Sequence, residues 1–414
     1  MQPIVIIGGG ISGLTLALSL HELGVPCRVY ESAPSYKPLG VGINLQPHGV
    51  RELSLLGLLP ALHARGVETS EMGFYSRHGQ FIFAEPRGRH AGYEWPQFSI
   101  HRALFHDVLI EAVRDRLGGD AVAMNAKCIG VEQNDAGVTA HFIDAASGQT
   151  LPPVAGAAAI GCDGIHSVLR RQLFPDEGPP FYQNINMWRG VSRWTPFLSG
   201  SSMVQVGWLN VGKMVIYPLT QRPDADGKQL LNWVAEFQSP RHVRQDWTLA
   251  GKIEDVLPIY GDWHFPWLDV GAMIRGAQIV LEFPMVDRDP LPFWTAGRIT
   301  LAGDAAHPMY PRGGNGANQA ILDVRALAKN LRTAPDAPAA LKAYEAERHN
   351  AANNVVLANR KASPDRILEV VHERSGGQPF RHIDDLFSRD ELAAITDGYK
   401  RIAGFDKETL AAKS

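Results

Sequence analysis

Three glycines, Gly8, Gly10 and Gly13, stand between a β-branched apolar run and an apolar helix, and this arrangement constrains the chain more than any other. Pro3 to Ile7 reads as a strand, Gly8 to Gly13 as a turn, and Leu14 to Leu23 as a helix stopped by Gly24. With a second strand at Cys27 to Tyr30 the opening is a β-α-β unit of about 30 residues, which calls for a parallel sheet. In G-x-G-x-x-G the missing side chains let the backbone, with Ser12 in the same turn, approach a pyrophosphate at the positive end of the helix. Glu31 ends the second strand eighteen residues after Gly13, close to where a carboxylate accepts hydrogen bonds from an adenosine ribose, and Ser32 follows it. A carboxylate there repels a 2′-phosphate, so the turn suits FAD or an NAD-like nucleotide; the spacing does not separate the two.

Composition narrows the function classes. The 414 residues, 45% of them apolar, hold material for a large core, read as one catalytic unit of two interleaved domains. Lys and Arg number 40 against 43 Asp and Glu, so no basic excess exists to neutralise a nucleic-acid backbone. Cys27, Cys128 and Cys162 form no C-x-x-C, no metal-ligand spacing is evident, and a reducing cytoplasm is the expected compartment. The apolar stretch Ile4 to Leu20 has no cationic segment before it and is interrupted by glycines, so it is not read as a signal peptide. No other stretch approaches the ~20 apolar residues of a membrane span.

Further along, Arg102 to Leu117 has helical spacing, and strands near Ala121 to Val131 and Val138 to Phe142 suggest a meander. From Asn184 to Leu281, strand-like runs carrying Trp188, Trp208, Tyr217 and Trp233 alternate with Gly, Pro and Asp turns, the pattern of an inserted antiparallel sheet. The nucleotide-binding style returns at Arg298 to Leu301, which leads into Gly303-Asp304, and a helix is expected from Asn315 to Leu331.

Three motifs in register resemble the para-hydroxybenzoate hydroxylase class of flavoprotein aromatic hydroxylases. They are the opening fingerprint, Gly161-Cys162-Asp163-Gly164-Ile165-His166-Ser167-Val168-Leu169-Arg170, and Gly303-Asp304-Ala305-Ala306-His307-Pro308. Within the class, Gly40-Val41-Gly42-Ile43-Asn44-Leu45-Gln46-Pro47, Met187-Trp188-Arg189-Gly190-Val191 and the stretch from Pro284 to Pro292 are similar to the phenazine hydroxylase branch, through about residue 360. The resemblance implies an α/β fold in which an FAD-binding Rossmann-like domain (1–183 and 284–360) is interleaved with an antiparallel-sheet substrate domain (184–283) and followed by C-terminal helices (361–414).

It also implies non-covalent FAD. Asp304 would accept hydrogen bonds from the ribityl hydroxyls, Arg102 would reach the pyrophosphate, and Gly42 would let the backbone approach the planar ring. Pro311, Gly313, Gly314, Asn315, Gly316, Ala317 and Asn318 would offer small side chains and N–H groups at a helix start to the anionic edge of the flavin, although Asn315 stands where the family often has Gln. Asp163 and Arg170 would support both FAD and a transient NADH or NADPH. His307 would be structural, the cavity would draw on Trp188, Tyr217 and Trp233, and Arg189 or His48 would meet a substrate carboxylate.

In the implied reaction, NAD(P)H reduces the flavin, oxygen adds at C4a, and the hydroperoxide transfers one oxygen to an electron-rich aromatic or N-heteroaromatic ring; accompanying decarboxylation stays open. The sequence identifies no catalytic base and leaves the chain a monomer or a homodimer. A flavoprotein oxidase or reductase, or a non-catalytic FAD-binding redox sensor, is the rival reading.

Overall fold

Ile4–Ile7 pairs in parallel with Cys27–Tyr30 on one side and Ala158–Gly161 on the other, so that Ile4 stands opposite both Cys27 and Ala158. In this computed structural model, residues 2–36, 40–239, 250–361 and 365–411 are described. All four residues of the opening strand are buried, as a strand covered on both faces must be. Each such aliphatic side chain contributes roughly 1.5–3 kcal/mol on leaving water. The six-stranded sheet runs in the order Thr295–Ala296, Ile299–Leu301, Ala158–Gly161, Ile4–Ile7, Cys27–Tyr30, Val122–Ala123. The first pair is antiparallel and the rest are parallel. The first helix spans Ile11–Glu22, three residues earlier than the sequence suggested, and packs on helices Gly316–Thr333 and Arg102–Leu117. Ala126–Asn134, Gly137–Asp144 and Val154–Gly156 form the expected meander.

A seven-stranded sheet carries the second half of the molecule, in the order Ala277–Asp287, Phe181–Trp194, Gln229–Gln238, Gly212–Pro218, Ser202–Trp208, Glu71–Tyr75, Phe81–Pro86. Neighbours are antiparallel except Glu71–Tyr75 along Ser202–Trp208. Two strands thus come from the early stretch assigned by sequence to the nucleotide domain, and Phe181–Trp194 and Ala277–Asp287 run across the expected boundaries at 183/184 and 283/284. Pairing partners, not closeness in sequence, decide which sheet a strand joins. Residues 240–249 of the expected sheet lie outside the described residues. Beyond them the chain forms helices Ile253–Tyr260 and Val270–Arg275 where strands were expected, burying Val256, Tyr260, Val270, Met273 and Ile274.

Because strand side chains alternate, this sheet has two distinct faces. Trp188, Val204, Val206, Met214, Ile216 and Trp233 pack on one side with those two helices. Met72, Phe74, Met187, Met203, Val215, Tyr217 and Val234 face the other side, where Ile367, Leu368 and Val371 of helix Arg366–Ser375 and Leu392 of helix Arg389–Ala403 join them. The C-terminal helices are therefore part of a core. Among the described residues no helix is long and apolar enough to cross a membrane.

Candidate active site

The cavity between the two halves holds about 340 Å³. At one end is the glycine turn. A Cβ on Gly8, whose φ is +103°, would lie 2.4 Å from the Cys162 carbonyl oxygen, and one on Gly13 would lie 1.9 Å from the carbonyl oxygen of Gly8. A Cβ on Gly10 would meet nothing within 4 Å, and Gly10, Ile11 and Ser12 line the cavity. Helix Ile11–Glu22 has no side-chain cap at Gly10, so its first N–H groups are available to an anion. Glu31 clasps the turn. Its Oε2 accepts from the Gly9 N–H at 2.7 Å and its Oε1 from the Ala33 N–H at 2.7 Å and the Ser32 hydroxyl at 3.2 Å. Both Glu31 and Ser32 stand outside the central cavity.

Farther in, Arg102 and Asp304 line the cavity with opposite charges. Burial raises the Asp304 carboxyl above its usual range against the opposing pull of His307 and Arg102, and burial lowers Arg102 against the pull of Asp304. His307 does not enter the cavity. Its Nε2 lies 2.5 Å from Asp323 Oδ2, which also accepts from the Gly303 N–H at 3.1 Å, while Arg348 Nε donates to Asp323 Oδ1 at 2.9 Å. This buried trio fixes the turn that presents Asp304.

Gly42 is held at both of its polar groups. Its N–H donates to Asn232 Oδ1 at 2.7 Å, its carbonyl accepts from Arg189 Nη2 at 2.6 Å, and a Cβ on it would lie 2.6 Å from the Tyr217 ring. On the opposite wall, Pro311, Gly313, Gly314, Asn315, Gly316 and Ala317 line the cavity, and helix Gly316–Thr333 has no side-chain cap. Asn318 is instead a tie: its Oδ1 accepts from the Gln46 N–H at 2.9 Å, and its Nδ2 donates to the carbonyls of Gly314 at 2.7 Å and Asn44 at 3.2 Å. Asn315 Nδ2 donates to the Tyr399 hydroxyl at 2.8 Å, which donates to Asn359 Oδ1 at 2.9 Å. Two uncapped helix starts, an arginine, a cavity-facing carboxylate and glycines without room for a side chain together fit a dinucleotide with two phosphates and a polyol chain.

Several expected residues lie elsewhere. Arg170 is fully buried, and its guanidinium is spent on Glu177 at 2.5 and 2.8 Å and on the carbonyls of Ala305 at 3.0 Å, Ala306 at 2.7 Å and Asp289 at 3.3 Å. It staples the Asp304 turn and has no face left for a visiting nucleotide. Asp163 accepts from the Val168 N–H at 2.8 Å at the start of helix Val168–Leu173, which Ser167 caps, while its neighbours Cys162 and Gly164 line the cavity. Trp188 and Trp233 belong to the far face of the sheet, where the Trp233 indole N–H donates to Ser192 at 3.0 Å. Trp188 and Arg189 are successive strand residues and cannot both face the cavity. His48 is buried and does not line the cavity itself; it stacks on Phe405, which does, at 5.3 Å between ring centres. Tyr217 and Arg189 do line it.

Sequence reasoning missed a polar group where the sheet and the C-terminal helices close the cavity. Lys213 Nζ lies 2.8 Å from Asp365 Oδ2 and 3.2 Å from Glu236 Oε2, and Arg312 Nε lies 3.4 Å from Asp365 Oδ2; all four residues are at most 4% exposed and line the cavity. A signal existed in the alternation: Lys213 is in phase with Val215 and Tyr217, and Asn232 and Glu236 are in phase with Val234. Ile395, Tyr399 and Lys400 of the tail also form cavity wall.

The model of the family "FAD binding domain" matches residues 1–189 and 289–359. The chain is 40% identical over 406 residues, 96% of both chains, to the phenazine 1,6-dicarboxylic acid hydroxylase of Lysobacter antibioticus. It is 34% identical to the 3-amino-4-hydroxybenzoate 2-monooxygenase of Streptomyces cremeus over 83% of this chain and 82% of that one. Its fold matches that of Klebsiella pneumoniae HpxO complexed with FAD and uric acid at a TM-score of 0.75, with 22% identity over 99% of this chain and 97% of the other. The chain belongs to the FAD-binding domain family and, within it, to the FAD-dependent aromatic monooxygenases.

Proposed function

We propose that the substrate is an aromatic acid, most closely a carboxylated N-heteroaromatic ring, and that its carboxylate is met by Arg189. The observation that carries this is a cation in an apolar slot. Arg189 lines the cavity beside Met187, Val215 and Val234, donates to the Gly42 carbonyl, sits against the Tyr217 hydroxyl, and has no carboxylate partner among the described residues. Of the other cavity cations, Lys213 and Arg312 face Asp365, Arg87 and Lys400 both pair with Glu85, and Arg102 lies at the glycine-turn end under the pull of Asp304. A guanidinium with donors to spare in a partly dry slot is suited to bidentate carboxylate binding. The relatives that act on a phenazine dicarboxylic acid and an aminohydroxybenzoate support the same class.

In this reading the Gly8–Ser12 turn and Arg102 hold the FAD pyrophosphate, Asp304 the ribityl hydroxyls, and the N–H groups from Gly313 to Ala317 the anionic edge of the ring. FAD, when bound, supplies hydride acceptance from NAD(P)H and the activation of oxygen for insertion into the ring. The protein's own part is to orient the acid through Arg189, exclude water with the methionine-rich floor and the C-terminal wall, and fix the backbone donors. NADH or NADPH visits from outside without Arg170, whose guanidinium is fully engaged within the protein. Such a chain works as a monomer or homodimer in the cytoplasm. The test is oxygen uptake coupled to NAD(P)H oxidation with phenazine-1-carboxylate and its carboxamide. Arg189→Gln should weaken the acid about 10- to 100-fold, as loss of a charge-assisted pair implies, and leave the carboxamide nearly unchanged. Equal losses for both would refute the role of Arg189. Peroxide release without ring oxidation for every aromatic acid tried would favour an oxidase.

A further inference from the structure

We propose that Asp365 accepts the proton of a ring hydroxyl on the substrate and that Lys213 and Arg312 hold the oxyanion so formed; this rests on the aromatic-acid reading above. Asp365 precedes helix Arg366–Ser375 but makes no side-chain cap to it, so the carboxylate is not spent on the helix. One oxygen, Oδ2, faces Lys213 and Arg312. The other, Oδ1, is fully buried and finds no hydrogen-bond partner among the described residues. Gln205 Oε1, 4% exposed on the same cavity floor, is likewise without a donor. Arg312 Nε makes no hydrogen bond, and the Lys213 ammonium has three donors and two carboxylate partners. A buried acceptor with no donor costs stability, and a ligand O–H relieves that cost.

Charge decides which group belongs there. Lys213 and Arg312 balance Glu236 and Asp365, so a carboxylate entering this cluster would bring an uncompensated negative charge into a buried site, whereas a neutral hydroxyl does not. The carboxylate goes to Arg189, which has no acid of its own. Register separates the two ends. Arg189 stands opposite Val234 and Val234 opposite Val215, so Lys213 is two strands and two residues away from Arg189, ~12 Å between Cα positions at ordinary strand spacings. That suits one ring system with a carboxylate at one end and a hydroxyl at the other.

The step is a proton transfer. The substrate O–H bond breaks, its proton passes to Asp365 Oδ1, and the electron pair stays on the ring oxygen beside the Lys213 and Arg312 donors. Asp365 becomes neutral as the ligand becomes anionic, so the net charge of the buried site does not change. An oxyanion substituent makes the ring electron-rich, which oxygen insertion requires.

The FAD-loaded enzyme at pH 7 is titrated with 4-hydroxycinnamate, whose phenol is protonated in free solution at that pH. Its phenolate absorbs to the red of its phenol, and 4-methoxycinnamate is the control without an O–H. Wild type should bind 4-hydroxycinnamate with the phenolate band. Asp365→Asn should lose the band and bind the phenol roughly 10- to 100-fold more weakly while holding 4-methoxycinnamate nearly as wild type does. Glu236→Gln, whose acid is already engaged by Lys213, should keep the band. Lys213→Gln should lose it, a second route if Asp365→Asn does not fold. Binding of the phenol as a neutral species by wild type, or a phenolate band that survives in Asp365→Asn, overturns the base while leaving the aromatic-acid reading standing. Failure of both cinnamates to bind overturns that reading and the base with it.

Discussion

Replacing Arg170 with Met separates a structural arginine from a nucleotide-binding one. Its side chain is 1% exposed and donates to both Glu177 oxygens and to the carbonyls of Ala305, Ala306 and Asp289. Methionine fills much of the volume and supplies none of these donors, leaving three carbonyls without this donor and Glu177 with Arg288 alone, at 3.0 Å. Breaking a buried pair from one side costs about 3–5 kcal/mol. For 414 residues, an unfolding entropy of about 2.1 cal/mol/K per residue turns this into a melting temperature lowered by roughly 3–6 °C. Ala305 and Ala306 directly follow Asp304, so FAD should also be held less tightly. Calorimetry on protein with and without FAD, flavin content per chain, and anaerobic stopped-flow reduction by NADH and NADPH measure the three effects together. A variant with wild-type melting and full FAD, whose only defect is slow reduction, would refute the argument and place Arg170 at the reducing nucleotide.

Asp304→Ala should weaken FAD about 10- to 100-fold by removing a charged acceptor, whereas His307→Ala should chiefly lower the melting temperature by stripping Asp323 of a buried partner; equal flavin loss in both would contradict this. Because burial raises the Asp304 carboxyl in the FAD-free cavity, its ionised form is lost on acidification earlier than for an ordinary carboxylate. FAD affinity should therefore begin to fall above the usual carboxylate range and stay flat over that window in Asp304→Asn, as followed by flavin fluorescence. Trp233→Phe should destabilise the sheet and leave the dissociation constant of an aromatic acid unchanged, since that ring packs on the far face; a loss of ligand affinity like that of Tyr217→Phe would show the two faces to be misassigned.

Much of the nucleotide-binding half was legible because its signals are local. The strand, glycine turn and helix from Pro3 to Glu22 lie within one stretch, and Gly8 and Gly13 have no room for a side chain. The strands Ala126–Asn134 and Gly137–Asp144 were readable for the same reason, while Val154–Gly156, the third of the meander, was not among those expected. Helices Ile253–Tyr260 and Val270–Arg275 were not, since short apolar runs with aromatic residues read equally as strands. The tryptophans misled for a different reason. Size and aromaticity suggested Trp188 and Trp233 as cavity walls, but phase decides the face: Arg189 and Val234, one residue along from each, face the cavity. Arg170 misled because a guanidinium suited to a phosphate is equally suited to three carbonyls and a carboxylate, and only burial tells the cases apart.

The Lys213 cluster was hidden because no local stretch contains it. Lys213 and Glu236 come from adjacent strands, Arg312 from the loop before a distant helix, and Asp365 from the start of the tail, and they meet only when the sheet and the C-terminal helices close on each other. The family model matches 1–189 and 289–359, which contain the glycine turn, Arg102 and Asp304. Tyr217, Lys213, Glu236, Asp365, Ile395 and Tyr399 all fall outside it. The physical reason is a division of labour: a shared cofactor imposes the same contacts on every member, while each ring to be oxidised sets its own. Arg189, at the very end of the first matched segment, sits where the two halves meet, with its guanidinium on Gly42 and its strand in the substrate sheet. The tail, which the family model does not reach, thus supplies part of the cavity wall and one of the two acids at Lys213, and substitutions there should change which ring is oxidised before they change whether FAD is held.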